Sequence, residues 1–358
     1  MTPAACTIDV LGTAVAIRVP ASLRDELRAA LVDLEPATGA DRELTLVDGA
    51  RGLELRDGGR VVRQGVAPTV AVATVVWRLN AIAADSRAHV LLHAACVAGP
   101  GGAGALLVGG SGAGKSTLAA ACVGAGFTYL SDELAAIDCA TGMVARYAKP
   151  LVLAGERVVP ASTLGRVATA PAVPASLVFP RYEPGAPLTG TPLEPGWTLL
   201  ALAAHATNLA ARGAAAFAWL AGVALACPAV QLTHGDARSA GAAIRESARR
   251  PPARPAPAEV LPRITAETTT VALADSLAVL HEPTGRVHVL NHAAATLWRG
   301  AAGAGLDGRD TRDLVDAVLD TFDTRTGGRP DRTTVAATVD RLVLSGLIAV
   351  PGGALTGG

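Results

Sequence analysis

The chain has 358 residues, 76 of them Ala and 39 Gly, with 31 basic side chains balanced by 31 acidic ones. Zero net charge argues against nucleic-acid binding through bulk charge. Half of the residues are apolar and 17% are charged, which excludes a disordered chain and allows two or three domains with cores of their own.

Five Cys occur, at Cys6, Cys96, Cys122, Cys139 and Cys227, with no C-x-x-C pair among them. Their odd number and wide spacing fit buried small hydrophobes in a reducing cytoplasm better than a disulfide framework or a zinc knuckle. The first twenty residues carry no basic n-region and reach an acid at Asp9, so no signal peptide is expected. From Gly213 to Gly235 there is no charged side chain. That stretch is mostly Ala and holds Pro228, Gln231 and His234, so it reads as a buried helix followed by a strand, Ala229–Thr233, and no membrane partner is expected.

In chain order, residues 1–84 read as a β-rich region. Short apolar runs at 8–10, 14–19, 43–47, 53–56 and 61–63 are separated by turns such as Asp57-Gly58-Gly59. Helices are expected over 23–34 and 70–84. A strand over 90–97 and another over 105–108 come next, then a glycine-rich loop and a helix over 115–123 stopped by Gly124 and Gly126. Strands flank Asp132 at 127–130 and 134–137. Residues 140–200 are rich in Pro and Gly and are expected to hold a few short strands, one at 177–179. The run RRPPARPAPA at 249–258 reads as a stiff linker, which closes a domain over 85–248. Beyond it, 259–350 reads as three strands (269–273, 277–281, 287–290) and three helices (291–298, 310–322, 333–345), with a flexible tail over 351–358.

The loop Gly109-Gly110-Ser111-Gly112-Ala113-Gly114-Lys115-Ser116 fits G-x-x-x-x-G-K-[ST], with a strand before it and a helix after it. Phosphate oxygens need several inward backbone N–H groups, and glycines permit that close approach. A helix N-terminus adds positive partial charge. Lys115 supplies a mobile charge for β and γ phosphates, and Ser116 a hydroxyl for Mg²⁺. A chance match in a Gly/Ala-rich chain is the competing explanation. Lys115 weakens it, because the chain has only one other lysine, Lys149. Sixteen residues after Ser116 comes the acid Asp132, followed by Glu133, a compact spacing for the acid that a phosphate-binding loop needs. The plain alternative for the pair is a hairpin turn.

Residues 90–138 resemble the catalytic core of bacterial HPr kinase/phosphorylase and its relatives. The resemblance is carried by His93 in LLHAACVA, by GGSGAGKST and by FTYLSDELAAID. It implies an α/β P-loop kinase core that uses ATP and Mg²⁺. Asp132 would be the base toward the acceptor hydroxyl, Glu133 a metal-side acid, and His93 a group near the phosphates; a core strand histidine is the other reading of His93. Thr117 stands where the HPr enzymes carry an acid, and their downstream signature is absent, which argues against HPr itself as substrate. The match is better to HPr-kinase-like proteins associated with peptide-modifying enzymes. Lys149 and Arg181 are further candidate phosphate contacts, since transfer needs a cation beyond the loop lysine.

Residues 259–350 are similar to the PqqD family of small winged-helix-like, precursor-peptide-binding domains. LAVLHEPTGRVHVLNHAAATLW carries the likeness, with Leu297 and Trp298 as core residues. The resemblance implies that a leader peptide adds as a strand along Arg286, Val287, His288, Val289 and Leu290, against the helix over 333–344. His281, His288 and His292 lack the spacing of a metal site. Residues 259–358 carry 9 basic and 12 acidic side chains, which would favour a basic leader.

Together these readings predict an α/β P-loop kinase core with a β-rich N-terminal region, plus a small α+β C-terminal domain. The expected activity is cytoplasmic, ATP-dependent phosphorylation of a Ser or Thr hydroxyl on a ribosomally made precursor peptide. Tethering the peptide reader to the transferase raises the effective concentration of the acceptor. Other peptide-maturation enzymes are candidate partners. A nucleotide-binding scaffold that presents the peptide, and an ATPase switch, are the alternatives.

Overall fold

The structure is a computed structural model. It describes residues 4–152, 157–247, 254–263, 265–274, 276–291 and 331–345, together with 294, 295, 298, 299, 313, 315, 316, 319, 347 and 348. The protein is mixed α/β, with several sheets, and divides into two compact units. The first comprises Met1–Leu193, His205–Asn208 and Ala226–Pro255; the second comprises Glu194–Ala204, Leu209–Leu225 and Ala256–Gly358.

The first unit begins with strands β1 (Cys6–Val10) and β2 (Thr13–Arg18), helix α1 (Arg24–Ala30), and strands β3 (Arg42–Gly49), β4 (Gly52–Asp57) and β5 (Arg60–Val66). These strands form one sheet in sequence order. Only the β2–β3 pair is parallel, and α1 makes the crossover that a parallel pair requires. Helix α2 (Ala71–Ala84) follows. Its buried Val72, Val75, Val76, Leu79 and Ile82 share a core with Ile17, Leu44 and Leu55 of the sheet. The buried carboxylate of Asp57 ties helix to sheet: it accepts from Arg42 at 2.7 and 2.8 Å and from Arg78 Nε of α2 at 2.6 Å.

The expected strand over 90–97 is two strands. β6 (His89–Leu92) and β7 (Ala94–Ala98) are separated by His93 and enter different sheets. The backbone N–H of His93 donates instead to His205 O at 2.8 Å. The apolar run alone could not reveal this break, because the residues on both sides are fully buried.

Strand β8 (Ala103–Val108), helix α3 (Lys115–Gly124), and strands β9 (Thr128–Ser131) and β10 (Ala135–Asp138) follow, β10 pairing with β6. A short β11 (Leu151–Val152) and β12 (Val158–Val159) pair with each other. Next come β13 (Val173–Tyr182) and β14 (Thr189–Leu193), then helices α4 (Pro195–Ala204) and α5 (Leu209–Ala226), β15 (Ala229–His234) and α6 (Ala237–Ser247). The main sheet has the order β14-β15-β13-β8-β7-β9, with β13 parallel to both β8 and β15. Pro180 lies beyond the β8 ladder, which ends at Val178, so its missing N–H costs no bond on that side. Helices α3 and α6 share a core with the sheet through Leu118, Cys122, Ala240 and Ile244. A Cβ on Gly241 would meet the Ala121 carbonyl carbon at 2.9 Å, so close helix packing requires glycine there.

The second unit contains strands β16 (Val260–Leu261), β17 (Thr268–Ala272), β18 (Leu277–His281) and β19 (Arg286–Leu290), paired antiparallel in sequence order. Helix α7 (Arg332–Leu344) starts at Asp331, whose side chain caps Thr334 N. Val335, Val339 and Leu342 of α7 pack with Leu277, Val279, Leu290 and Trp298, and Trp298 Nε1 donates to Thr270 at 2.9 Å.

The units differ from the expected boundaries. Residues 1–84 share a unit with the segment that follows them. Helices α4 and α5, expected within 85–248, group with the C-terminal sheet: a Cβ on Gly196 of α4 would meet Val289 of β19 at 3.1 Å, and one on Gly285, in the β18–β19 turn, would meet Ala210 of α5 at 3.1 Å. Helices α4 and α6 were not anticipated. Helix α5 is long and apolar enough to cross a membrane by length and composition, with 56% of it buried inside the protein. Of the proposed linker, 254–258 is described and forms neither helix nor strand. His292, Leu297, most of the expected helix over 310–322 and the tail over 351–358 lie outside the described residues.

Candidate active site

Strand β8 is buried along its whole length and leads into the loop Gly109–Gly114, after which α3 begins at Lys115. Gly112 and Gly114 hold φ of +80° and +81°, a backbone that L side chains rarely adopt, and Gly114 caps the helix. Lys115 is buried and donates to Gly110 O at 2.7 Å. The loop lines a cavity of about 1030 Å³ with Ser111, Gly112, Gly114, Lys115, Ser116 and Thr117. Gly109, Gly110 and Ala113 shape the loop without lining the cavity.

The same cavity collects His93, Asp132, Glu133 and Lys149. Asp132 and Glu133 stand in the short link between β9 and β10, Asp132 buried and Glu133 open. Lys149 Nζ lies 3.2 Å from Asp132 Oδ1 and 3.1 Å from Glu133 Oε2. Burial alone would lower the pKa of Lys149, but the two carboxylates outweigh it and raise the ammonium above its ordinary value. Asn80 of α2 donates to Glu133 at 3.3 Å and accepts from Tyr147 OH at 3.0 Å. Burial, then Glu133 and Asp132, push the Tyr147 phenol up, so it remains a neutral donor.

His93 sits where β6 ends and β7 begins. Burial lowers its pKa, the charge of Lys115 lowers it further, and Glu133 opposes both. Burial lowers Lys115 as well, against the two acids. The segment His205–Asn208 runs beside β6: Thr207 N donates to Leu91 O at 2.9 Å, and Asn208 bridges His89 O and Leu91 N at 2.9 and 3.0 Å. His205 is lowered by burial first, then by His93 and Lys115. His89 is bonded to Ser86 at 2.8 Å.

Sequence reasoning missed Arg63, Trp77 and Asn80 on the cavity wall, and also His205. Arg63 stood in an expected strand and Trp77 in an expected helix, with no motif around either, and His205 stood between two apolar runs with no motif around it. Lys149, an open candidate in the sequence, is brought to the acid pair. Arg181 is not among the lining residues; it pairs with Glu183 at 2.7 Å and is largely exposed.

The sequence-predicted peptide residues lie in the other unit. Among the described residues β19 pairs only with β18, so its outer edge is free. Arg286 is exposed, Val287, His288 and Val289 are half-buried, and Leu290 is in the core. His281 bonds Thr284 and Glu267, and no group of three metal-ligating side chains occurs among the described residues.

No family model matches the chain, and no curated protein matches it. Among solved structures it is similar to TbiB1 in complex with the TbiA(beta) leader peptide. That likeness has 20% identity and a TM-score of 0.18, and covers 26% of this chain and 98% of that one. No two of the five cysteines form a disulfide; burial pushes Cys96, Cys122 and Cys227 up to about 12, leaving them inert thiols.

Proposed function

We propose that the protein is an ATP-dependent kinase acting on a Ser or Thr hydroxyl of a ribosomally made precursor peptide, in the cytoplasm. The observation that carries this reading is the meeting of Lys115, Ser116, His93, Asp132, Glu133 and Lys149 in one cavity. The loop N–H groups and Lys115 would hold the β and γ phosphates. In the transfer, the acceptor oxygen bonds to the γ phosphorus, the bond to the β–γ bridging oxygen breaks, and ADP leaves. The acceptor proton passes to Asp132. The donor set suits Mg²⁺, which takes one or two carboxylates with substrate phosphates rather than a full protein cage. Glu133, Asp132 and the Ser116 hydroxyl would hold it. Bound there, the ion neutralises charge on the phosphates.

Lys149 bridges the two acids before substrate arrives. The free edge of β19 supports capture of an extended leader by strand addition, with half-buried side chains of Val287 and Val289 beside it. ATP titration with Lys115→Ala tests the loop: a wild-type affinity unchanged by the substitution would remove the phosphate-site reading. A scaffold that binds nucleotide and presents a peptide would show binding by both units and no phosphopeptide.

A further inference from the structure

Three features of the cavity wall stand outside the phosphate machinery. Trp77 is 48% exposed and lines the cavity from α2. Arg63 of β5 lies over its ring, with Cζ 5.8 Å from the centroid, and lines the same cavity. Asn80, three residues further along α2, bonds Glu133. Residues three apart share a helix face, about 4.5 Å along the axis. Trp77 is therefore about one turn of α2 from Asn80, the residue that holds Glu133, and shares its cavity with both acids.

The cations of the cavity differ in what they already hold. Lys115 is bonded to its own loop and Lys149 to both acids. Among the described residues Arg63 forms no ion pair. A guanidinium held near an indole face, with its Cζ 5.8 Å from the ring centroid, has five N–H donors, which match a carboxylate. An acceptor hydroxyl that gives its proton to Asp132 must lie beside the acid pair, and an extended peptide advances about 3.3 Å per residue.

We infer that Arg63 and Trp77 form an acceptor subsite for a carboxylate placed roughly two residues from the phosphorylated hydroxyl. This deepens the kinase reading and rests on it. The carboxylate is a side chain or the end of the peptide chain, and both present the same two oxygens.

The test uses the full chain with Mg²⁺ and a non-hydrolysable ATP analogue, following the Trp77 indole N–H by NMR. The probes are acetyl-Gly-Ser-Gly-Asp-Gly-amide against its Asn counterpart, and acetyl-Gly-Ser-Gly with a free acid end against its amide. At least one acidic member binds about tenfold tighter than its neutral partner, and Arg63→Gln removes that difference while leaving affinity for the ATP analogue unchanged. The pair that discriminates identifies the source of the carboxylate. Equal binding of acidic and neutral probes, discrimination that survives in Arg63→Gln, or an equal loss of ATP-analogue affinity overturns the subsite. Transfer is not read in this experiment. A protein that discriminates the probes yet never phosphorylates a peptide keeps the subsite and loses the kinase reading.

Discussion

At the scale of residues, the cavity is governed by how its charges shift one another. Lys115 helps hold the pKa of His93 below its ordinary 6.5, after burial. Lys115→Met therefore moves the His93 titration upward, measurable by NMR as a function of pH. Because the folded value is depressed, the stability contributed by neutral His93 is present above the unfolded value and is lost as pH falls through the folded one. Lys149 has a larger structural duty. Lys149→Met leaves Asp132 buried without its cation, and should cost about 3 kcal/mol of stability in denaturant titration, since one partner of a buried pair is removed. Lys149→Arg should recover part of that loss. The motif, the acid pair and His93 were legible in the sequence because their chemistry fixes residue type and spacing. Lys149 was visible only as a rare residue, and its partners are contacts across the fold.

At the scale of elements, α2 places Asn80 at Glu133, and its own position depends on Asp57. Burial would raise that carboxyl, but Arg42 and Arg78 overcome it and hold the pKa below the ordinary 3.8. The stability this contributes is present above the unfolded value and is lost as pH falls through the folded value. Asp57→Asn should flatten that acid loss and lower stability at neutral pH by about 3 kcal/mol, read from urea midpoints across pH. Most strands were legible because apolar runs and turn residues bound them. The break at His93 was not, since two fully buried strands in different sheets look like one apolar run. Helices α4 and α6 were missed for different reasons: α4 follows a Pro- and Gly-rich stretch, and α6 mixes charge with alanine.

At the scale of the whole molecule, the chain's division departs from sequence order. The C-terminal sheet groups with α4, which packs on β19, and with α5, which meets the β18–β19 turn, although both helices precede it by many residues. A fragment of 259–358 alone exposes the buried Ala278 and Leu280 face of that sheet, and so should aggregate more than one that begins at 194; light scattering at matched concentration checks this. Composition could not show that grouping, because an Ala-rich helix suits either unit. The β19 edge was legible from its hairpin, whereas the acceptor wall was not, being assembled from two elements with no shared motif. Phosphoryl transfer is read most plainly from product mass. The full chain, ATP, Mg²⁺ and a degenerate Ser/Thr peptide library should yield peptides heavier by about 80 Da per phosphate. Asp132→Asn should bind ATP and yield none. Release of inorganic phosphate without any heavier peptide would show hydrolysis in place of transfer, and transfer retained in Asp132→Asn would place the base elsewhere.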